Sequence, residues 1–142
     1  MPLVSITRLR VRAWRYLPPF FIQALRSAWQ AKLAGGNLSV SILQEARNTF
    51  WTRTVWVSEQ AMKSYVISGV HKQGMRSLLE WCDEAAVVHW DQEGSQPPSW
   101  EEAFRRLREE GRPSKVNHPS QDHRAFQFPV PQVRLTGELR FK

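Results

Sequence analysis

Residues 68–75 read SGVHKQGM, with His71 between Gly69 and Gly74 at the seam of two helical runs. An imidazole there, with an unperturbed pKa of about 6.5, suits proton transfer near neutral pH. It could equally join two helices through a backbone carbonyl. Arg53 sits in the middle of the strand-like run TFWTRTVWV, sharing a face with Trp51 and Val55. A guanidinium so flanked needs a carboxylate, from the protein or from a ligand. His89 alternates with Val87 and Asp91, and could line a cavity or an interface. Tyr65 offers a hydroxyl on a helix, or packs in the core. Trp51, Trp56, Trp81 and Trp90 could wall an aromatic pocket or build a dimer core. His118, Asp122 and His123 are irregularly spaced in a proline-rich segment, a poor metal-site pattern. GxGxxG, P-loop, Ser/His/Asp and HExxH patterns do not occur.

These side chains must be held by regular elements. LVSITRLRVR (3–12) alternates as a strand, with Val4 and Ile6 out of phase with Leu9 and Val11. That slip calls for a bulge or for apolar contact on both faces. Pro18 and Pro19 open a helix whose stripe is Phe21, Leu25, Ala28 and Ala31, closed at Gly35-Gly36. Residues 38–46 and 49–57 form an antiparallel hairpin through Arg47-Asn48. Ser58 caps a helix carrying Ala61, Met62, Tyr65 and Val66, and Met75, Leu78, Leu79 and Cys82 continue as a second amphipathic piece. A fourth strand, 85–91, completes β-α-β-β-α-β.

The expected fold is therefore α+β and ferredoxin-like, an antiparallel sheet with its helices on one face. The other face would be left bare, which predicts a homodimer packed sheet to sheet. Residues 1–92 make the barrel domain, and 93–142 form a C-terminal helix and extended arm on the same domain or the partner subunit. That helix begins at the capping box Ser99-Trp100-Glu101-Glu102 and ends at Gly111. A short hairpin about Thr136-Gly137 is expected within 133–141.

The 142 residues include 20 Lys and Arg against 13 Asp and Glu, a net charge of +7. Arg8, Arg10, Arg12 and Arg15 read first as a solvated strand face. The aromatic and glycine pattern of nucleic-acid modules is missing, so the sequence argues against nucleic acid as a partner. One cysteine, Cys82, rules out an intramolecular disulfide. No signal-peptide pattern and no membrane span is legible, and a cytoplasmic location is the expectation.

WVSEQAMKSYVISGVH (56–71), with TFWTRTVW before it, EWCDEAAVVHW after it and GRPSKVNHPS in the tail, resembles the dimeric α/β-barrel superfamily of antibiotic-biosynthesis monooxygenases. The likeness covers roughly residues 3–120 and lies nearest a bacterial branch close to the spheroidene monooxygenases. It implies a dimer with a pocket between sheet and helices in each subunit. It implies varied chemistry too: oxidation of aromatic polyketides without metal or flavin, haem binding or breakdown, or isomerisation. The haem-degrading branch uses an Asn, a Trp and a His at positions that fall here on Thr7, Tyr65 and Met75, and all three differ. Haem degradation of that kind is disfavoured, while haem ligation by His71, one turn earlier, stays open.

The combined expectation is an oxygenase-like homodimer acting on a small apolar, conjugated or aromatic molecule without a cofactor. His71 would be the base and Arg53 the cation for the developing anion. Tyr65, Trp51, Trp56, His89, Thr7 and Met75 would line the pocket. The alternatives are a non-catalytic binder of an apolar or haem-like ligand and, behind it, a basic nucleic-acid module.

Overall fold

The computed structural model describes residues 1–128 and 137–142; the side chains of Val70 and His71 lie outside that description. Strands β1 (Leu3–Val11), β2 (Asn37–Ala46), β3 (Thr49–Trp56) and β4 (Cys82–Asp91) form the centre of one sheet. Two short strands extend its edges, β5 (Arg112–Pro113) and β6 (Glu138–Arg140), in the order β5-β4-β1-β3-β2-β6. Every pairing among the described residues is antiparallel. The inner order, with β1 between β3 and β4, is the ferredoxin-like arrangement expected from the sequence.

Helix α1 (Leu17–Leu33) follows a 3-10 turn at Trp14–Tyr16, and its prolines occupy the first turn, where no N–H is needed. Helices α2 (Glu59–Val66) and α3 (Gly69–Trp81) share its side of the sheet. The Ser58 hydroxyl accepts from the Ala61 N–H and starts α2. The seam between α2 and α3 is Ser68-Gly69, where Gly69 takes φ 49°, a left-handed conformation that glycine adopts without strain. Cys82, expected on the second helical piece, instead opens β4 directly after Trp81.

Both faces of the sheet are covered. On the helix side, Leu3, Val11, Val40, Ile42, Phe50 and Trp56 pack with Phe20, Ala28, Ala31 and Met62. On the other, Val4, Ile6, Leu43, Trp51, Val55 and Val88 pack against Trp100, Ala103 and Leu107 of α4 (Trp100–Glu110). The out-of-phase apolar residues of β1 are explained by this two-sided burial, with a register irregularity between Arg10 and Val11. The bare sheet face expected from the sequence is therefore occupied by the chain's own fourth helix. The reason is the apolar stripe Trp100–Ala103–Leu107, about one side of α4, which loses contact with water by docking there. The argument for sheet-to-sheet dimerisation drawn from a bare face falls away with it.

The arm continues over the same side through α5 (Gln121–Ala125), Phe126 and Phe128. The first half of the expected C-terminal hairpin, 133–136, lies outside the described residues. Its second half, β6, pairs with β2 through Ser41↔Arg140 and Leu43↔Glu138.

The arginine-rich strand is not a solvated face throughout. Arg8 is 2% exposed and donates to Glu84 at 2.6 Å, and Arg10 donates to the other carboxylate oxygen at 2.9 Å. The Ser120 hydroxyl donates to Glu84 at 2.7 Å, and the Phe128 ring lies 4.3 Å from the Arg8 guanidinium carbon. Burial alone would raise the Glu84 carboxyl, but these hydrogen bonds and the two guanidinium charges outweigh it and hold its pKa below the usual range.

Candidate functional site

The two faces of the central strand are sealed to different degrees. On the α4 side of β1, Val4, Ile6 and Arg8 are buried. On the helix side, Ser5, Thr7 and Leu9 are only half-buried, although β1 is paired on both edges and roofed by three helices. Partial exposure at the middle of a central strand means that the helix layer does not close fully over it, and this gap is the candidate cleft.

Antiparallel register sets what lines it. Thr7 lies opposite Thr52 on β3 and Val87 on β4, and Ser5 lies opposite Thr54 and His89. Thr52 and Val87 are half-buried like Thr7, and His89 is exposed at the rim. Four hydroxyl-bearing residues and one imidazole thus share a compact stretch of one sheet face. Partial desolvation, helped by the nearby Arg112 charge and opposed by Glu59, holds the His89 pKa below its ordinary value. At neutral pH the ring is therefore neutral and able to accept a proton.

The apolar side is built from β3 and α2. Trp56 is fully buried, its Nε1 donates to the Thr54 hydroxyl at 2.9 Å, and its ring centroid is 5.1 Å from that of Tyr65. The Tyr65 hydroxyl donates to the Ser27 carbonyl at 2.9 Å, tying α2 to α1. Burial raises the Tyr65 pKa far above the ordinary phenol value, so this hydroxyl is a fixed neutral donor and not a base. Burial, with Asp83 beside it, pushes the Cys82 thiol up to about 12, which removes it as a nucleophile.

Of the residues expected at a site, Thr7, Trp56, Tyr65 and His89 belong to this face. His71 is the third residue of α3, on the helix side, and its side chain lies outside the described residues. Met75 is exposed on α3. Arg53 and Trp51 are on the opposite face of the sheet. Arg53 donates to the Pro98 carbonyl at 2.7 Å and to Glu138 at 2.8 Å, and stacks over Trp100 at 4.3 Å. Trp51 donates to Glu45 at 2.9 Å and packs on Phe104. Arg53 and α3 lie on opposite faces of the sheet. Arg53 has the protein carboxylate that its burial requires, supplied by Glu138. Burial lowers the Arg53 pKa and the charge of Glu138 opposes that fall.

His118, Asp122 and His123 do not converge. His118 pairs with Glu80 at 3.4 Å on the surface, while buried His123 accepts the Ala85 N–H at Nδ1, 3.2 Å away. Among the described residues no group of three His, Cys, Asp or Glu could hold a metal ion.

Ser5, Thr52 and Thr54 belong to no recognisable motif. Their signal is parity: polar residues at 5 and 7 and at 52 and 54 occupy the helix-side phase of two otherwise apolar strands.

A family model described as a domain of unknown function, DUF3291, matches residues 25–131. No curated protein matches the chain. Among solved structures, SnoaB, a cofactor-independent oxygenase from Streptomyces nogalater, superposes with a TM-score of 0.53 at 15% identity, over 68% of this chain and 98% of its own. A candidate antibiotic biosynthesis monooxygenase from Nitrosomonas europaea gives 0.59 at 15% identity, over 65% and 90%. Rv0793 from Mycobacterium tuberculosis gives 0.59 at 14%, over 66% and 97%. At such identities the likeness carries the ferredoxin-like fold alone and leaves the chemistry to the residues.

Proposed function

We propose that this chain, which belongs to the DUF3291 family of domains of unknown function, binds a small apolar, conjugated molecule in the helix-side cleft and acts on it as a cofactor-independent oxygenase. The half-burial of Ser5, Thr7 and Thr52 beneath the helices is the observation that carries this reading. Hydroxyls on the floor can orient the oxygen substituents of a flat substrate, while Trp56 and Tyr65 back the apolar side.

The chemistry asks little of the protein beyond that. A substrate with an activated CH2 between aromatic rings gives a proton to a base and one electron to dioxygen. The two radicals combine at that carbon, the peroxide anion takes the proton back from the base, and the hydroperoxide loses water to leave a ketone. The carbon loses both hydrogens and gains one oxygen atom, the second oxygen leaves as water, and the substrate supplies every electron. His89, neutral and at the rim, is the base in this scheme. Arg53 has no part in it, because it lies through the sheet.

Oxygen consumption with anthrone as the probe tests the reading. The wild-type protein should consume dioxygen in proportion to anthrone converted to anthraquinone, and His89→Ala should slow it at least about tenfold. Wild-type rates no faster than buffer would remove the catalytic claim, and unchanged rates in His89→Ala would remove His89 from it.

A further inference from the structure

Helix α1 is apolar on two opposite sides. Ala24, Ala28 and Ala31 face the core, as a helix lying on a sheet requires. At about 100° per residue, Ile22, Trp29 and Leu33 fall within about 40° of arc on the opposite side. All three are exposed, at 59%, 55% and 69%. Leu25 and Trp29 line a shallow groove beside them, bounded by Arg26 and Gln30. Gln30 donates to the Ser68 carbonyl at 3.1 Å, and Ile67, the residue before Ser68, is exposed as well. Side chains of this size pointing straight away from a folded domain mark an interaction surface.

The charge around the stripe selects the partner. Helix α1 carries Arg26 and Lys32 and no acidic residue. The Lys32 ammonium lies 4.8 Å from the Trp29 ring centroid, and α3 exposes Lys72 and Arg76 on the same side of the sheet. A second copy docked on this face would set these cations against each other. An apolar strip with a tryptophan, flanked by Lys and Arg, matches instead the boundary between acyl chains and anionic headgroups. No helix among the described residues is long and apolar enough to cross a membrane, so the contact is one of lying on the surface.

We propose that the outer stripe of α1, Ile22, Trp29 and Leu33 with Arg26 and Lys32, seats the protein on an anionic lipid bilayer. The attachment does not depend on the cleft or its chemistry.

Flotation of the full chain with phosphatidylcholine vesicles, with and without phosphatidylserine, tests it. Binding is expected with phosphatidylserine, weakening as salt is raised, and at least about tenfold lower for the Trp29→Ser/Leu33→Ser double variant. Both positions are exposed, so the variant should keep the wild-type circular dichroism spectrum. A second variant, Arg26→Gln/Lys32→Gln, should lose the preference for phosphatidylserine and keep the apolar stripe. No binding to anionic vesicles, or equal binding by the wild type and both variants, overturns the proposal. So does a stripe-dependent dimer in solution that shows no vesicle binding, which would assign the surface to a second copy.

Discussion

Thr7 and Thr52 stand opposite each other on the central strand pair, on the side of the sheet that three helices cover without sealing. One residue further along either strand, the side chains enter the packed layer under α4. The difference between a wet cleft and a dry core is thus written in single-residue alternation, and it separates groups only one position apart. Ser5 and Thr7 face the cleft, whereas Ile6 between them is wholly buried.

Thr7→Val and Thr52→Val should test that floor without disturbing the fold. Valine suits a strand as well as threonine does, so the urea midpoint should move by less than the equivalent of about 1 kcal/mol. Affinity for a conjugated ligand with oxygen substituents should fall about fivefold for each lost hydrogen bond. Calorimetric titration beside urea unfolding reads both quantities. A large loss of stability with no change in affinity would mark these hydroxyls as structural.

The Arg8–Glu84 pair, buried on the α4 side, predicts a different outcome. Arg8→Met should destabilise by about 3–5 kcal/mol, because it strands a carboxylate that its remaining partners, Arg10 and Ser120, only partly satisfy. Adding Glu84→Leu should recover much of that loss, since the uncompensated charge is then gone. Urea unfolding of the single and double variants measures it. A double variant no more stable than Arg8→Met would contradict the assignment of the cost to the stranded charge.

The same carboxylate gives a pH dependence. The folded-state pKa of Glu84 is depressed, so the unfolded chain binds its proton first as pH falls. Its contribution is complete above the ordinary carboxylate range and is lost as pH drops through the folded value. Asp83, whose carboxyl burial holds above the usual value, carries the opposite slope. Glu84→Gln should therefore flatten the acid loss of stability, and Asp83→Asn should steepen it. Thermal midpoints from about pH 6 to pH 3 compare the slopes; parallel curves for the three proteins would contradict this.

Gly36 and Gly35 make a matched pair. Gly36 has φ 85°, and a Cβ there would sit 2.7 Å from the Ala61 Cβ and 2.8 Å from the Val57 Cγ2. Gly36→Ala should cost about 2 kcal/mol or more through strain and overpacking against the start of α2. A Cβ on Gly35 meets nothing within 4 Å, so Gly35→Ala should be close to neutral. Chemical denaturation of both separates conformation from general sensitivity of the turn.

Much of this architecture is legible in the chain. The β-α-β-β-α-β order follows from strand alternation, from prolines at the start of α1 and from Ser58 at the start of α2. Arg53 is buried beside Trp51 and Val55 and paired with a carboxylate, as its place in the strand implies. Its side of the sheet is not legible, because local periodicity separates two faces without saying which one the helices will cover. The same limit applies to α4. Its apolar stripe is plain in the sequence, yet docking on its own sheet or on a partner's involves the same residues. Ser5 and Thr52 escape a sequence reading because a hydroxyl residue in a strand is ordinary by propensity, and only the pairing of β1 with β3 and β4 gathers them with Thr7 and His89 into one place.

The location of the ligand is the centre of the account, and methyl NMR during titration with anthrone reads it directly. The methyl resonances of Thr7, Thr52 and Val87 should shift together and saturate with one ligand, while those of Val4, Ile6 and Val55 stay in place. Saturable shifts confined to Val4, Ile6 and Val55, or no shift on either face, would contradict a site on the helix side of the sheet.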